Sequence, residues 1–138
     1  MSHLVDQVLK ENNLSVTLGR KKVLELFLKA DCALVFSEIE KKSHSIIDRV
    51  TVYRTLQTFL EKGLIHLIPT TDNLTKYALT KGNSKRQHIY ANHIHFFCSN
   101  CNKTICLDEV NTPKIKLRKG YREQSYQLVV TGICANCK

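Results

Sequence analysis

DRVTVYRTLQTFLEKGLIH, residues 48 to 66, is the stretch on which the fold turns. Asp48 is a good N-cap, because a short carboxylate can accept from the free amides of a first helical turn. Gly63 follows Lys62 as a good C′ residue, and the lysine suits the negative end of the helix dipole. Between these signals Val52, Leu56, Phe59 and Leu60 share one face, and Thr51, Arg54 and Thr58 lie on the other. One side packs and the other is free to read something. The chain then predicts two strands, Leu64 to Ile68 and Lys76 to Leu79, joined by the polar turn Thr70-Thr71-Asp72-Asn73.

Upstream, residues 4 to 12 read as a short helix. Residues 17 to 29 read as a second, with the stripe Val23, Leu24, Phe27 and Leu28 at helical spacing. Ser37 is expected to cap a third, short helix that ends in Lys41-Lys42-Ser43-His44-Ser45. The last three of these helices followed by a two-stranded hairpin make the winged helix-turn-helix arrangement. Downstream, Gly82 to Gln87 breaks all periodicity and reads as a hinge. Strands return at His93 to Cys98, Thr104 to Leu107 and Tyr126 to Ile133.

Two Cys-x2-Cys knuckles, Cys98/Cys101 and Cys134/Cys137, punctuate those strands. Together they supply four soft ligands at about 2.3 Å with no position left for water, which is a closed, structural zinc site. Disulfides within a knuckle would close a strained ring, and the N-terminal MSHLVDQVLKENN carries no secretory signal, so the reducing cytoplasm is expected. No apolar run approaches the ~20 residues needed to cross a bilayer, and a soluble protein is expected.

The formal charge of +9, from 21 Lys+Arg against 12 Asp+Glu, suits a polyanionic partner. Residues 1 to 82 carry 12 basic and 9 acidic side chains, and residues 83 to 138 carry 9 and 3. The excess is spread along the chain, so the case for nucleic acid rests on the motif.

The motifs LSVTLGRKKVLELF (14 to 27), TVYRTL (51 to 56), EKGLIH (61 to 66), HIHFFCSNC (93 to 101) and GICANC (132 to 137) resemble, in order and spacing, the ferric uptake regulator family of bacterial metal-dependent repressors. The resemblance covers nearly the whole chain. It implies an α+β protein with a winged-helix DNA-binding domain (1–81), a hinge (82–92) and a small α/β dimerisation domain holding the structural zinc (93–138). It further implies a sensing metal site at the junction. The motif match gives DNA contacts to Tyr53 and Arg54 on the recognition helix, with Thr51 on the same exposed face, and a phosphate contact to Arg20. Arg54 can grip phosphate or a guanine edge, and Tyr53 can pack on a thymine methyl. Ser15 stands where the family often has a basic residue.

For the second metal, His93 and His95 point to one face of an extended strand and Cys98 to the other, so two separate sites follow. If residue 97 faces residue 104 across the hairpin, 95 faces 106 and the Cys106 sulfur comes within reach of the His95 imidazole. By the resemblance His95 is the sensing histidine, His93 its partner in peroxide-responsive members, and Cys106 replaces an acidic ligand. A thiolate in that position favours Zn²⁺ over Fe²⁺ or Mn²⁺ and a zinc uptake regulator type. His88 is a candidate substitute for a missing acidic ligand, and Cys32 for a missing N-terminal histidine. His3, His44 and His66 read as surface or packing residues, and Lys114 to Arg122 lacks the helix often found there.

The expected assembly is a homodimer on double-stranded operator DNA, with half-sites ~34 Å or about 10 bp apart, repressing metal-homeostasis genes. A peroxide-responsive regulator of the same family is the alternative, and a zinc-trafficking or redox protein is a more distant one. Neither a membrane partner nor a small-molecule substrate is expected. An enzyme is disfavoured: zinc deaminases need His-x-Glu with Pro-Cys-x-x-Cys, whereas this chain has His93-Ile94-His95 and no proline before either knuckle.

Overall fold

The computed structural model describes residues 2–68, 74–80, 94–107, 113–124, 126 and 128–137. The expected turn 70–73, the hinge 82–92, His88 and His93 lie outside them. Among the described residues the chain runs α1 (Ser2–Glu11), α2 (Leu18–Lys29), β1 (Leu34–Val35), α3 (Phe36–Ser43), α4 (Arg49–Glu61), β2 (Ile65–Ile68), β3 (Lys76–Leu79), β4 (Ile94–Cys98), β5 (Thr104–Leu107) and β6 (Leu128–Gly132). The strands form two sheets, β1-β3-β2 and β5-β4-β6, with β4 antiparallel to β5 and parallel to β6.

The helix that decided the fold is bounded as its sequence predicts. Asp48 Oδ1 accepts the Thr51 amide at 2.9 Å, and hydrogen bonds from Thr51 hold its carboxyl below the usual carboxylate range. A depressed carboxylate stabilises its helix above the unfolded pKa, so this cap is lost only as acid carries the pH through the folded value. At the other end Gly63 has φ +71°, its amide bonds to the Leu60 carbonyl at 3.0 Å, and Leu64 bonds back to Phe59 at 2.9 Å. That is a Schellman closure, and glycine fills the left-handed position at no steric cost. Thr17 caps α2 in the same way, accepting the Arg20 amide at 3.2 Å.

One expected boundary is corrected. The third helix starts at Phe36 with Val35 in the capping position, and Ser37 lies inside its first turn. The cause is β1, a strand too short to read from periodicity. Pairing of Leu34 with Tyr77 and Val35 with Lys76 delivers the chain straight into the helix, and Glu38 Oε1 accepts the Val35 amide at 3.2 Å.

Val23, Leu24 and Phe27 of α2, Ile39 of α3, and Val52, Leu56 and Phe59 of α4 close one core with Val5 and Leu9 of α1. Phe59 is fully buried there. Phe59→Ala is expected to cost about 3–5 kcal/mol in chemical denaturation, and a loss below ~1 kcal/mol would show that this helix does not close the core.

The wing sheet is buried on both faces, and this positions everything that follows. Ile65, Leu67, Tyr77 and Leu79 pack on the helical core. The alternate residues His66, Ile68, Lys76 and Ala78 turn the other way, and Ile68 and Ala78 pack with Ala33 and Cys106 of the C-terminal sheet. The residue just before β1 also bonds to the second sheet, Ala33 N–H to Thr104 O at 2.7 Å. Residues 113–124 carry no helix and are exposed throughout. That agrees with the expected loss of the helix over Lys114 to Arg122.

Candidate metal centres and nucleic-acid face

Cys98 ends β4, Cys101 closes the tight turn after it, and Cys134 and Cys137 form the turn after β6, the parallel neighbour of β4. This topology brings the two knuckles side by side. The four sulfurs lie within 4.8 Å of one another, with Cys101 Sγ and Cys134 Sγ 3.8 Å apart. The edge of a tetrahedron with metal–sulfur bonds of about 2.3 Å is also about 3.8 Å, so the spacing suits Zn²⁺.

Electrostatics favour the same occupant. Amides of Cys101 (3.5 Å) and Cys134 (3.4 Å) donate to Cys98 Sγ and lower its pKa to about 6. A hydrogen bond involving Asn100 favours the Cys137 thiolate, but the crowded sulfurs of Cys134, Cys101 and Cys98 prevail and raise its pKa to about 11. The first thiolate forms readily and the last is opposed by its neighbours. A divalent cation at their centre removes that conflict.

A second group lies on the opposite side of β4. His95 pairs with Cys106, and Phe97 with Thr104, so the register assumed for the hairpin is the one found. The third member is His66 of β2: His66, His95 and Cys106 offer ligand atoms all within 4.8 Å of one another. His66 Nε2 is 3.6 Å from Cys106 Sγ, and the two imidazole rings are tilted by 38° with centroids 5.7 Å apart. Both histidines are buried, at 3 % and 1 % exposure. His66 Nδ1 is 3.2 Å from Thr80 Oγ1. The tautomer in which Nδ1–H donates to Thr80 leaves the Nε2 lone pair facing the sulfur, the usual way an outer partner orients a histidine ligand.

Reading His66 as a surface or packing residue missed its place here. Its signal was a lone polar residue inside the strand Leu64-Ile65-His66-Leu67-Ile68. Cys32 belongs to neither group among the described residues. It lines a cavity of about 210 Å³ with Phe27, Ala33, Ala78 and Cys106, and burial, followed by the charge of Asp31, pushes its thiol pKa up. Among the remaining histidines, His3 and His44 are exposed.

The outward face of α4 presents Thr51, Tyr53 and Arg54, all exposed. Tyr53 is 54 % exposed, so it is not a core tyrosine, and Val50 beside it is 53 % exposed. Arg20 lies half-buried on α2 and donates to the Ser15 carbonyl at 3.0 Å and to Ser15 Oγ at 2.8 Å. Ser15 is therefore the residue that holds the arginine's guanidinium. Gly19 lets α2 approach this region closely: a Cβ there would meet Ile47 at 3.1 Å and Thr51 at 3.4 Å.

No helix among the described residues is long and apolar enough to cross a membrane. The model of the ferric uptake regulator family matches residues 11–133. A ferric uptake regulation protein of Staphylococcus epidermidis is 33 % identical over 138 residues, spanning 96 % of this chain and 92 % of that protein. One of Bordetella parapertussis is 27 % identical over 147 residues, spanning 94 % of each. Among solved structures, a zinc uptake regulator complexed with zinc and DNA superposes with TM-score 0.67 at 20 % identity, covering 98 % of this chain and 91 % of that one. The Vibrio cholerae ferric uptake regulator superposes at 0.62 with 23 % identity, covering 94 % and 98 %. With the family model spanning most of the chain and the helix-wing-ribbon order in place, this protein belongs to the ferric uptake regulator family and is a metal-responsive, DNA-binding transcriptional regulator, not an enzyme.

Proposed function

We propose that the chain acts as a homodimeric repressor of metal-homeostasis genes, of the zinc uptake regulator type. Residues 1–81 read DNA, 82–92 form the hinge and 93–138 form the dimerising, zinc-binding domain. Cys98, Cys101, Cys134 and Cys137 hold a permanent zinc that stabilises the ribbon. His66, His95 and Cys106 bind the regulatory ion. The observation that carries this reading is that the second group draws one ligand from the wing and two from the C-terminal sheet.

Two imidazole nitrogens and a thiolate form a soft, low-coordinate donor set, which supports Zn²⁺ over Fe²⁺ or Mn²⁺. Filling the site ties β2 to β4 and β5, and so limits how each recognition helix is presented. In a dimer, heads held in one orientation match successive major grooves, and heads that wander do not. Metal and DNA then strengthen each other's equilibrium binding equally, by a coupling of typically ~1–3 kcal/mol.

The test is a fluorescent inverted-repeat duplex titrated with protein whose ribbon zinc is intact, with and without added Zn²⁺. Metal-dependent, sequence-selective binding is expected, and equal affinity in the two arms would overturn the reading. In the same assay Arg54→Ala is expected to weaken binding by about 1–3 kcal/mol, with Tyr53→Ala relaxing selectivity at a thymine position. An Arg54→Ala variant with unchanged affinity would remove that residue from the interface.

A further inference from the structure

Lys76 occupies a position where a sheet interior ordinarily places an apolar side chain. It lies on the central strand β3, paired with Val35 on one side and Ile68 on the other, and is only 5 % exposed. Burying an ammonium is costly unless hydrogen bonds replace its water, so the partners of Lys76 indicate its role. Nζ donates to Thr104 Oγ1 at 2.9 Å and to the Asn102 carbonyl at 3.2 Å, and it sits 5.1 Å from the Phe97 ring centroid. All three lie across the junction, in β4, β5 and the turn between them.

That turn is the exit of the first knuckle. Asn102 directly follows Cys101 and has φ +62°, the left-handed conformation that asparagine tolerates. Its amide bonds to the Cys98 carbonyl at 2.8 Å. Thr104 in turn accepts the Ala33 amide with its own carbonyl. The knuckle's exit is thus fastened to β3 through a side chain and to the approach of β1 through the backbone. A methionine of similar length would fill the space at lower desolvation cost. The ammonium adds direction, because its acceptors among the described residues include a backbone carbonyl and a hydroxyl buried on β5.

We propose that Lys76 is a positioning residue for DNA binding: through Asn102 and Thr104 it sets the orientation of the winged helix on the zinc ribbon, separately from the ligands His66, His95 and Cys106. Its consequence for operator affinity rests on the function proposed above, but its effect at the junction does not.

The experiment uses the full-length, zinc-loaded protein and two variants, Lys76→Met and Thr104→Val, which remove the donor and one acceptor while keeping size. Native-state hydrogen exchange of the Ala33 amide reads the junction directly, since its acceptor is Thr104. Exchange at Ala33 is expected to accelerate about tenfold or more in Lys76→Met, and to rise in Thr104→Val. The double variant should be less than the product of the two, because both changes remove one interaction. Protection of the β2–β3 ladder and the ribbon zinc content should stay unchanged, operator affinity should fall, and Lys76→Arg, which keeps donors, should restore it. Unaltered Ala33 protection in Lys76→Met overturns the proposal. So does opening of the β2–β3 ladder along with Ala33, which would make Lys76 part of the wing's own fold. If wild-type protein shows no metal-dependent DNA binding, the functional proposal fails and the Ala33 result still decides this one.

Discussion

Cys98→Ser is expected to strip the ribbon of its zinc and unfold residues 94–107 and 128–137, leaving the helical core standing. Cys98 is fully buried and accepts amides from both knuckles, so its sulfur organises the whole four-cysteine group. Apolar burial within this part is small. Apart from Cys98, the only buried hydrophobic residue of β4, β5 and β6 is Ile94, so the sheet has almost no apolar core of its own. Structural zinc binding contributes about 10–16 kcal/mol of folding free energy, far more than three short strands supply. Elemental analysis should show one zinc per chain lost, with hydrogen-exchange protection lost from β4 to β6 while α2 and α4 remain protected. A variant that kept its zinc and its protection pattern would show that the ribbon stands without this ligand.

The second large effect falls on His66. Replacing it with alanine removes the ligand that, among the described residues, the wing contributes to the proposed site with His95 and Cys106. Metal titration of the ribbon-intact variant is expected to show one bound ion per chain fewer, and operator affinity in saturating Zn²⁺ should drop to the metal-free level, a loss of about 5–150-fold. Cys106→Ser should act in the same direction, because a hydroxyl is a poor substitute for a thiolate. Histidine and cysteine bind metal only after losing a proton, so protons and metal compete. The metal response should therefore weaken as the pH falls into the acid range. An unchanged metal count in His66→Ala would assign the two buried histidines to packing alone.

The physical reason His66 escaped the sequence reading lies in β2. Alternation tells which residues share a face, and a polar residue between apolar ones ordinarily marks the solvent side. In Leu64-Ile65-His66-Leu67-Ile68 both faces are buried, one against helices and one against the second sheet, so alternation alone did not tell an enclosed histidine from a solvent-facing one. Lys76 is hidden for the same reason. Its sequence neighbours suggest a solvated lysine at a strand entrance, but Asn102 and Thr104, 26 and 28 residues later, come to lie against its ammonium.

What this chain's sequence determined by itself is local and repetitive. The span of α4 followed from Asp48 and Gly63 and the apolar stripe of α2 from 3.6-residue spacing, whereas the pairing of His95 with Cys106 followed only once a hairpin register was assumed. The separation of two metal groups followed from strand parity, since residues an odd number apart cannot share a face. Each of these rests on chemistry within a few residues, where the backbone geometry is fixed in advance. The tertiary structure decided which surface met which: β1 leading directly into α3, His66 joining a group 40 residues away at Cys106, and Lys76 reaching the knuckle. Those contacts depend on how two sheets settle face to face, and that is set by the collective burial of apolar area, which no short stretch of sequence encodes alone.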